Sequence, residues 1–216
     1  MMEKMAAFFE ARLEGYDEHM LQNIAGAEEF YPFTASLLPL QMGACVLDLG
    51  CGTGLELQYY EAYNPSACLT GIDLSAGMLQ ALQAKFPHKK LNLIQGSYFD
   101  LPLGENCFDG AVSVESLHHF TQEEKRALYG KLHRALKPGA AFILTDYFAL
   151  SNEEENHWQA ELARLKAENG ICDADFYHFD TPLTVGHEMK ALQDGGFAQV
   201  EILKNWGATY VLRAVK

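Results

Sequence analysis

Two separated segments hold the residues best suited to chemistry. Residues 46–54 read VLDLGCGTG, an apolar run ending in glycines at 50, 52 and 54, and Asp73 follows inside TGIDLS. Alternate glycines strip side chains from one spot, so that a ligand can lie directly on the backbone there. If the apolar run and the TGID run are strands of a doubly wound sheet, their carboxyl ends meet in the crevice where such sheets hold nucleotide-like ligands. A dinucleotide loop needs glycine at its first, third and sixth places, but counting from Gly50 the sixth place is Leu55. A triphosphate loop needs Lys and then Ser or Thr after its last glycine, and here Leu55 and Glu56 follow Gly54. What remains is an adenosine whose far end is uncharged or zwitterionic, with its ribose diol held by the two oxygens of Asp73.

The elements that must position these residues alternate along the chain. Apolar runs predict strands at 44–49, 67–74, 91–96, 108–114 and 140–147. Helical spacing predicts a helix at 55–63 that Asn64-Pro65 stops, a second opened by Ser75 and closed before Pro87, and a third opened by the Thr121/Glu124 capping-box pair. The third is expected to end in a Lys137-Pro138-Gly139 turn. A last helix over 185–197 has a glycine stop, and 198–204 pairs with 209–215 as a hairpin around residues 205–208. Strands joined by helices imply an α/β fold: a Rossmann-like, doubly wound, mainly parallel sheet with helices on both faces.

Taken in order, VLDLGCGTG, TGIDLS, GSYFDLP (96–102), FDGAVSVESLHHF (108–120) and LKPGAAFILTDY (136–147) resemble the motifs of the class I S-adenosylmethionine-dependent methyltransferases. The resemblance covers residues 45 to 147, and GGF..VEI at 195–202 fits the family's last strands. It implies a seven-stranded sheet whose last strand inserts antiparallel, methyl transfer as the activity (EC 2.1.1.-), S-adenosyl-L-methionine as cofactor and S-adenosyl-L-homocysteine as product. Two other readings stay open: a transfer other than methyl from the same cofactor, and a non-catalytic module that binds an adenosyl ligand.

The resemblance also assigns roles. Backbone N–H groups at Gly50, Cys51 and Gly52 receive the methionyl carboxylate, helped by the positive end of the following helix. Asp48 either steadies the turn or reaches the ammonium through water. Asp73 takes the ribose hydroxyls, while Leu74 and Met78 pack on adenine. The family often has an acid after the glycine of GSYFDLP; Ser97 stands there instead, so Ser97 and the Tyr98 main chain take the adenine edge. Val114 and Glu115 pass beneath the ligand's amino group, and Tyr16 of the N-terminal segment is a further cofactor-binding candidate.

Length and charge bound the partners. A chain of 216 residues suits one domain: a helical cap (1–43), a cofactor-binding core (44–147), a lid insertion (148–184) and a last helix with hairpin (185–216). With 16 basic against 29 acidic residues the net charge is -13, which opposes a polyanionic substrate. No nucleic acid, no membrane, a small-molecule acceptor, a monomer or homodimer and a cytoplasmic location are therefore expected. Cys45, Cys51, Cys68, Cys107 and Cys172 form no close sequence pair, so neither a disulfide framework nor a cysteine metal site is expected. The four near strands read as small buried apolar groups.

Methyl transfer from a sulfonium needs orientation and dryness more than side-chain chemistry, with a base only where the acceptor must lose a proton. Aromatics at 8, 9, 16, 30, 31 and 33 and at 148, 158, 176, 177 and 179 suit a water-excluding lid or the packing of added helices. His118, His119, Tyr147 and His178 are the candidate bases, and His157 is weighed with them. The spacing of Glu153 and His157 marks a solvated helix face, so no metal is expected. Residues 151–169 read as an amphipathic surface helix burying Trp158, Leu162 and Leu165.

Overall fold

The computed structural model describes residues 3–171 and 176–216; Cys172 lies outside them. Three helices, α1 (Met5–Glu10), α2 (Tyr16–Asn23) and α3 (Ala27–Ser36), precede an alternating core. The core runs β1 (Cys45–Leu49), α4 (Leu55–Tyr63), β2 (Cys68–Asp73), α5 (Ala76–Lys85), β3 (Leu91–Gln95), β4 (Phe108–Val114), α6 (Gln122–Ala135) and β5 (Leu136–Tyr147). Then come α7 (Asn152–Asn169), α8 (Val185–Asp194), β6 (Gln199–Trp206) and β7 (Thr209–Val215). The sheet order is β3-β2-β1-β4-β5-β7-β6, and only β7 runs antiparallel to its neighbours. Strand order reverses beside β1, which places the ligand crevice between the ends of β1 and β4.

Period-two alternation along the central strands fills both faces. Leu47, Ala111, Phe142, Leu144 and Leu212 face one core with Leu128 and Leu132 of α6 and Leu192 of α8. Val46, Val112, Ile143 and Val211 face the other with Phe30 of α3 and Leu57 and Tyr60 of α4. Helix starts are set locally: Ser75 Oγ accepts from the Met78 amide, and Thr121 with Glu124 forms the full capping box.

Four expectations are corrected. Lys137-Pro138-Gly139 does not end α6; β5 starts directly after it, and Phe108 pairs with Leu136 while Gly110 pairs with Ala141, so the Lys-Pro-Gly segment bulges within a strand. The hairpin turn tightens to Gly207-Ala208 because β6 continues to Trp206 and Gly207 adopts φ +60°. Helix α7 buries a carboxylate rather than an apolar stripe: Glu155 alone is buried, and Trp158 stays 36% exposed. Glu155 accepts from the Thr184 amide (2.5 Å) and lies 2.8 Å from His187 Nδ1, so the helix is pinned to the start of α8 by polar contacts. Of the strand cysteines only Cys51 is buried; Cys68 and Cys107 are exposed, and Cys45 and Cys68 are register partners across β1 and β2.

Candidate active site

The glycine loop is tied to β2 before any ligand is considered. Gly50 N and Cys51 N both donate to Ile72 O, at 2.8 and 3.2 Å. Gly50, Gly52 and Gly54 all have positive φ, but for different reasons. A Cβ on Gly50 would lie 2.0 Å from Ser116 Oγ and one on Gly54 2.2 Å from Leu82 Cδ1, whereas one on Gly52 would meet nothing within 4 Å. Only Gly52 faces open space. Its amide donates to Asp73 Oδ2 at 2.9 Å, while Asp73 Oδ1 accepts from the Ser75 amide at 2.8 Å. The two strand tips therefore touch.

Around them lies a narrow space of about 50 Å³. Gly50, Gly52, Asp73, Leu74, Met78, Tyr98, Val114, Glu115 and Tyr16, all candidate cofactor-binding residues, line it, and Met5, Phe9, Ser116 and His119 join them. Three expected residues are not on its wall. Asp48 is buried behind the loop against Glu56, Cys51 packs its sulfur on Gly71, and Ser97 Oγ accepts from the Phe99 amide to close its own turn. At that position the ring of Tyr98 does the lining, its hydroxyl 3.2 Å from Ser116 Oγ.

Beside this space opens a cavity of about 780 Å³ lined by the helical cap and by residues that follow β4 and β5. His118, His119, Tyr147 and His178 all line it, although His178 comes from the segment after α7. His157 is exposed on α7 and is not on its wall. Phe9, Tyr16, Glu115 and His119 border both spaces.

Residues 46–139 match the family described as a methyltransferase domain. That match takes in the glycine loop and the parallel strands β1 to β4, so this part of the chain is similar to a methyltransferase domain. Similar proteins include an uncharacterized methyltransferase of Synechocystis, 33% identical over 130 residues that cover 60% of this chain and 59% of that one. An uncharacterized methyltransferase of Geobacillus is 27% identical over the whole chain and 96% of its own length. The chain spans only 35% of 24-methylenesterol C-methyltransferase 3 of Arabidopsis thaliana, to which it is 30% identical over 130 residues, 56% of this chain. Human N-acetylserotonin methyltransferase, solved with S-adenosylmethionine, shares the fold at TM-score 0.63 and 18% identity, over 97% of this chain and 55% of that one.

The residues of this site fit an adenosyl ligand at one end: Asp73 keeps lone pairs for a ribose diol, whereas the Gly50, Cys51 and Gly52 amides expected to receive the methionyl carboxylate already donate to Ile72 O and Asp73 Oδ2. The space does not yet fit it, since about 50 Å³ falls far below the roughly 300 Å³ at the lower end of ligand pockets. Met5 and Phe9 of α1 and Tyr16 of α2 form part of its wall.

Electrostatics in the site are dominated by burial. Desolvation lifts the Asp73 carboxyl above its ordinary range, and the Ser75 and Gly52 amides oppose that. Desolvation and then the Asp146 charge push Glu115 up to about 8. Glu115 also holds φ +49°, a left-handed conformation unusual for a residue with a side chain. Burial would lower His118, but the Asp146 carboxylate, whose Oδ1 sits 2.6 Å from His118 Nδ1, carries it up to about 9. Burial and the neighbouring His118 charge push His119 down to about 4. Asp180 is held well below the carboxylate range against its burial, by His119 and His118. Burial and adjacent carboxylates push the Cys51 thiol well up, which disarms it as a nucleophile.

Sequence reading missed Asp146, Asp180 and Ser116. Asp146 had a detectable sign, a lone carboxylate at the end of an apolar strand as Asp73 is. Asp180 had none, because only the path of the chain after α7 brings it to His118 and His119.

Proposed function

We propose that this chain transfers the methyl group of S-adenosyl-L-methionine to a small molecule held in the 780 Å³ cavity. The observation that carries the reading is the shared wall: Phe9, Tyr16, Glu115 and His119 border both the glycine-loop trench and the large cavity. A donor gripped at Gly52 and Asp73 and an acceptor in the cavity then lie side by side, with aromatics of the cap and lid excluding water. Holding two reactants in line supplies on the order of 7 kcal/mol. When bound, the cofactor supplies an electrophilic methyl on a good leaving group. The chain's own residues bind it, orient the acceptor and keep the site dry.

Small acceptors are supported by the names of relatives, among them a 2-phytyl-1,4-naphtoquinone methyltransferase of Nostoc, 31% identical over 122 residues. The net charge of -13 argues in the same direction. No helix among the described residues is long and apolar enough to cross a membrane. The proposed location is the cytoplasm and the proposed state a monomer or homodimer. A second reading, transfer of a group other than methyl, has support in a carboxy-S-adenosyl-L-methionine synthase of Chromohalobacter salexigens, 29% identical over 176 residues.

Calorimetric titration with S-adenosylmethionine tests the grip. Asp73→Ala is expected to weaken binding at least tenfold, and unchanged affinity would overturn the assignment. Mass spectrometry of turnover mixtures then separates the readings, since methyl transfer leaves S-adenosylhomocysteine and a methylated acceptor.

A further inference from the structure

We propose that His118, His119 and Asp180 form a binding site for a divalent transition-metal ion of the zinc type on the wall of the large cavity. Their ligand atoms all lie within 4.8 Å of one another. His118 Nε2 and His119 Nδ1 stand 3.7 and 2.9 Å from the same oxygen, Asp180 Oδ1, and His178 Nε2 stands 4.0 Å from it. Ligand atoms about 2.0–2.1 Å from a tetrahedral ion are separated by roughly 3.3 Å, so these distances bracket the required spacing.

The second observation is an absence of aligned partners. His119 Nδ1 and Asp180 Oδ1 are buried and, although 2.9 Å apart, do not make a well-aligned hydrogen bond; the Tyr147 hydroxyl also approaches the Asp180 carboxylate. Buried polar atoms are nearly always satisfied, and an ion placed between this pair would satisfy both. Three further features suit a metal. Asp146 Oδ1 lies 2.6 Å from His118 Nδ1, which turns the other ring nitrogen toward Asp180 in the carboxylate-histidine arrangement that supports metal-binding imidazoles. The Thr181 amide donates to His118 O at 2.8 Å, locking together the two chain segments that carry the ligands. The ring of His178 stacks on Phe8 with centroids 3.4 Å apart, which fixes its orientation.

Two imidazoles and one carboxylate select zinc or a neighbouring transition metal over magnesium, which prefers all-oxygen surroundings. Three protein ligands leave a coordination position facing the cavity. That position takes a lone-pair donor of the cavity's occupant, an oxygen, nitrogen or sulfur atom. This last step rests on the reading of the cavity as the acceptor chamber; the metal site itself does not.

The test uses the full chain, stripped of metal by chelation and titrated with cobalt chloride under visible absorption and with zinc chloride by calorimetry. Expected are one equivalent bound and the intense bands of tetrahedral cobalt. Asp180→Asn and His119→Ala should each weaken binding at least tenfold, Asp146→Asn should weaken it about 10–100-fold, and His157→Ala on the exposed face of α7 should leave it unchanged. Circular dichroism establishes that each variant is folded. Failure of the folded parent chain to bind either ion would overturn the site, independently of any variant. So would stoichiometric binding whose affinity and spectrum survive both ligand substitutions. Neither readout involves methyl transfer, so the outcome is independent of the proposed activity.

Discussion

Two buried polar clusters in this molecule obey opposite rules. Between α6 and α8, Lys125 Nζ sits 2.6 Å from Glu188 Oε2, and the Tyr129 hydroxyl donates to Glu188 Oε1. Both charged side chains are almost fully buried, and both oxygens of the glutamate are engaged. At the carboxyl ends of the strands the account does not close. Asp48 Oδ2, Glu56 Oε1, His119 Nδ1 and Asp180 Oδ1 are the buried side-chain atoms without an aligned hydrogen-bond partner among the described residues; the first two belong to carboxyls that face each other behind the glycine loop, and the last two are on the cavity wall. A scaffold tolerates buried charge only when it is paired, whereas a site keeps unsatisfied groups for what binds there.

The largest effect should come from unpairing the closed cluster. Glu188→Ala leaves a buried ammonium uncompensated and is expected to cost about 3–5 kcal/mol in denaturant unfolding. The combined replacement Lys125→Met, Tyr129→Phe and Glu188→Leu should be close to neutral, since it removes the charges together. If the triple variant lost as much as the single one, the cluster would be more than a paired charge and the comparison would break.

A carboxyl in the open region should respond with the opposite sign. Burial and the adjacent Glu56 hold the Asp48 carboxyl well above its ordinary range. A folded carboxyl raised in this way is protonated with its unfolded counterpart in acid, and stability is lost as pH climbs from the unfolded value through the folded one. Asp48→Asn keeps the shape without the ionisation. It should match the parent near pH 4 and exceed it increasingly toward pH 8, by about 1.4 kcal/mol for each unit by which the folded carboxyl is raised. Parallel stability-pH curves would show that Asp48 carries no such penalty.

The smallest effect sharpens the boundary between the regions. Thr121 caps α6 only two residues after His119, yet it belongs to the scaffold: its hydroxyl and amide form the capping box with Glu124. Thr121→Ala should cost about 1 kcal/mol by thermal unfolding and leave calorimetric cofactor affinity within twofold. A large affinity loss would mean that the turn carrying His118 and His119 is steadied by the helix cap.

Much of the frame was legible because its causes are local. The 55–63 helix, the Ser75 cap and the Thr121/Glu124 box appear where short-range hydrogen bonds and Pro65 put them. The Lys-Pro-Gly bulge was misread as a turn, since a strand can absorb such a segment when a neighbouring strand supplies the register. The stripe expected on α7 failed for a related reason: its anchor is Glu155 reaching Thr184 and His187, a contact made between elements. In the site, Gly52 and Asp73 were readable from spacing, whereas Ser97 was displaced by the neighbouring Tyr98 ring, which only the packing against Ser116 explains.

The sequence by itself determined the alternation of strands and helices, the bare loop and the acid that shares its crevice, because these follow from hydrophobic period, glycine geometry and strand-end topology. Tertiary structure alone decided which glycine is open, which residues of α1 and α2 wall the trench, and that residues as far apart as His118, Asp146 and Asp180 converge. Those outcomes depend on contacts between segments distant in the chain, and no local propensity encodes a meeting of that kind.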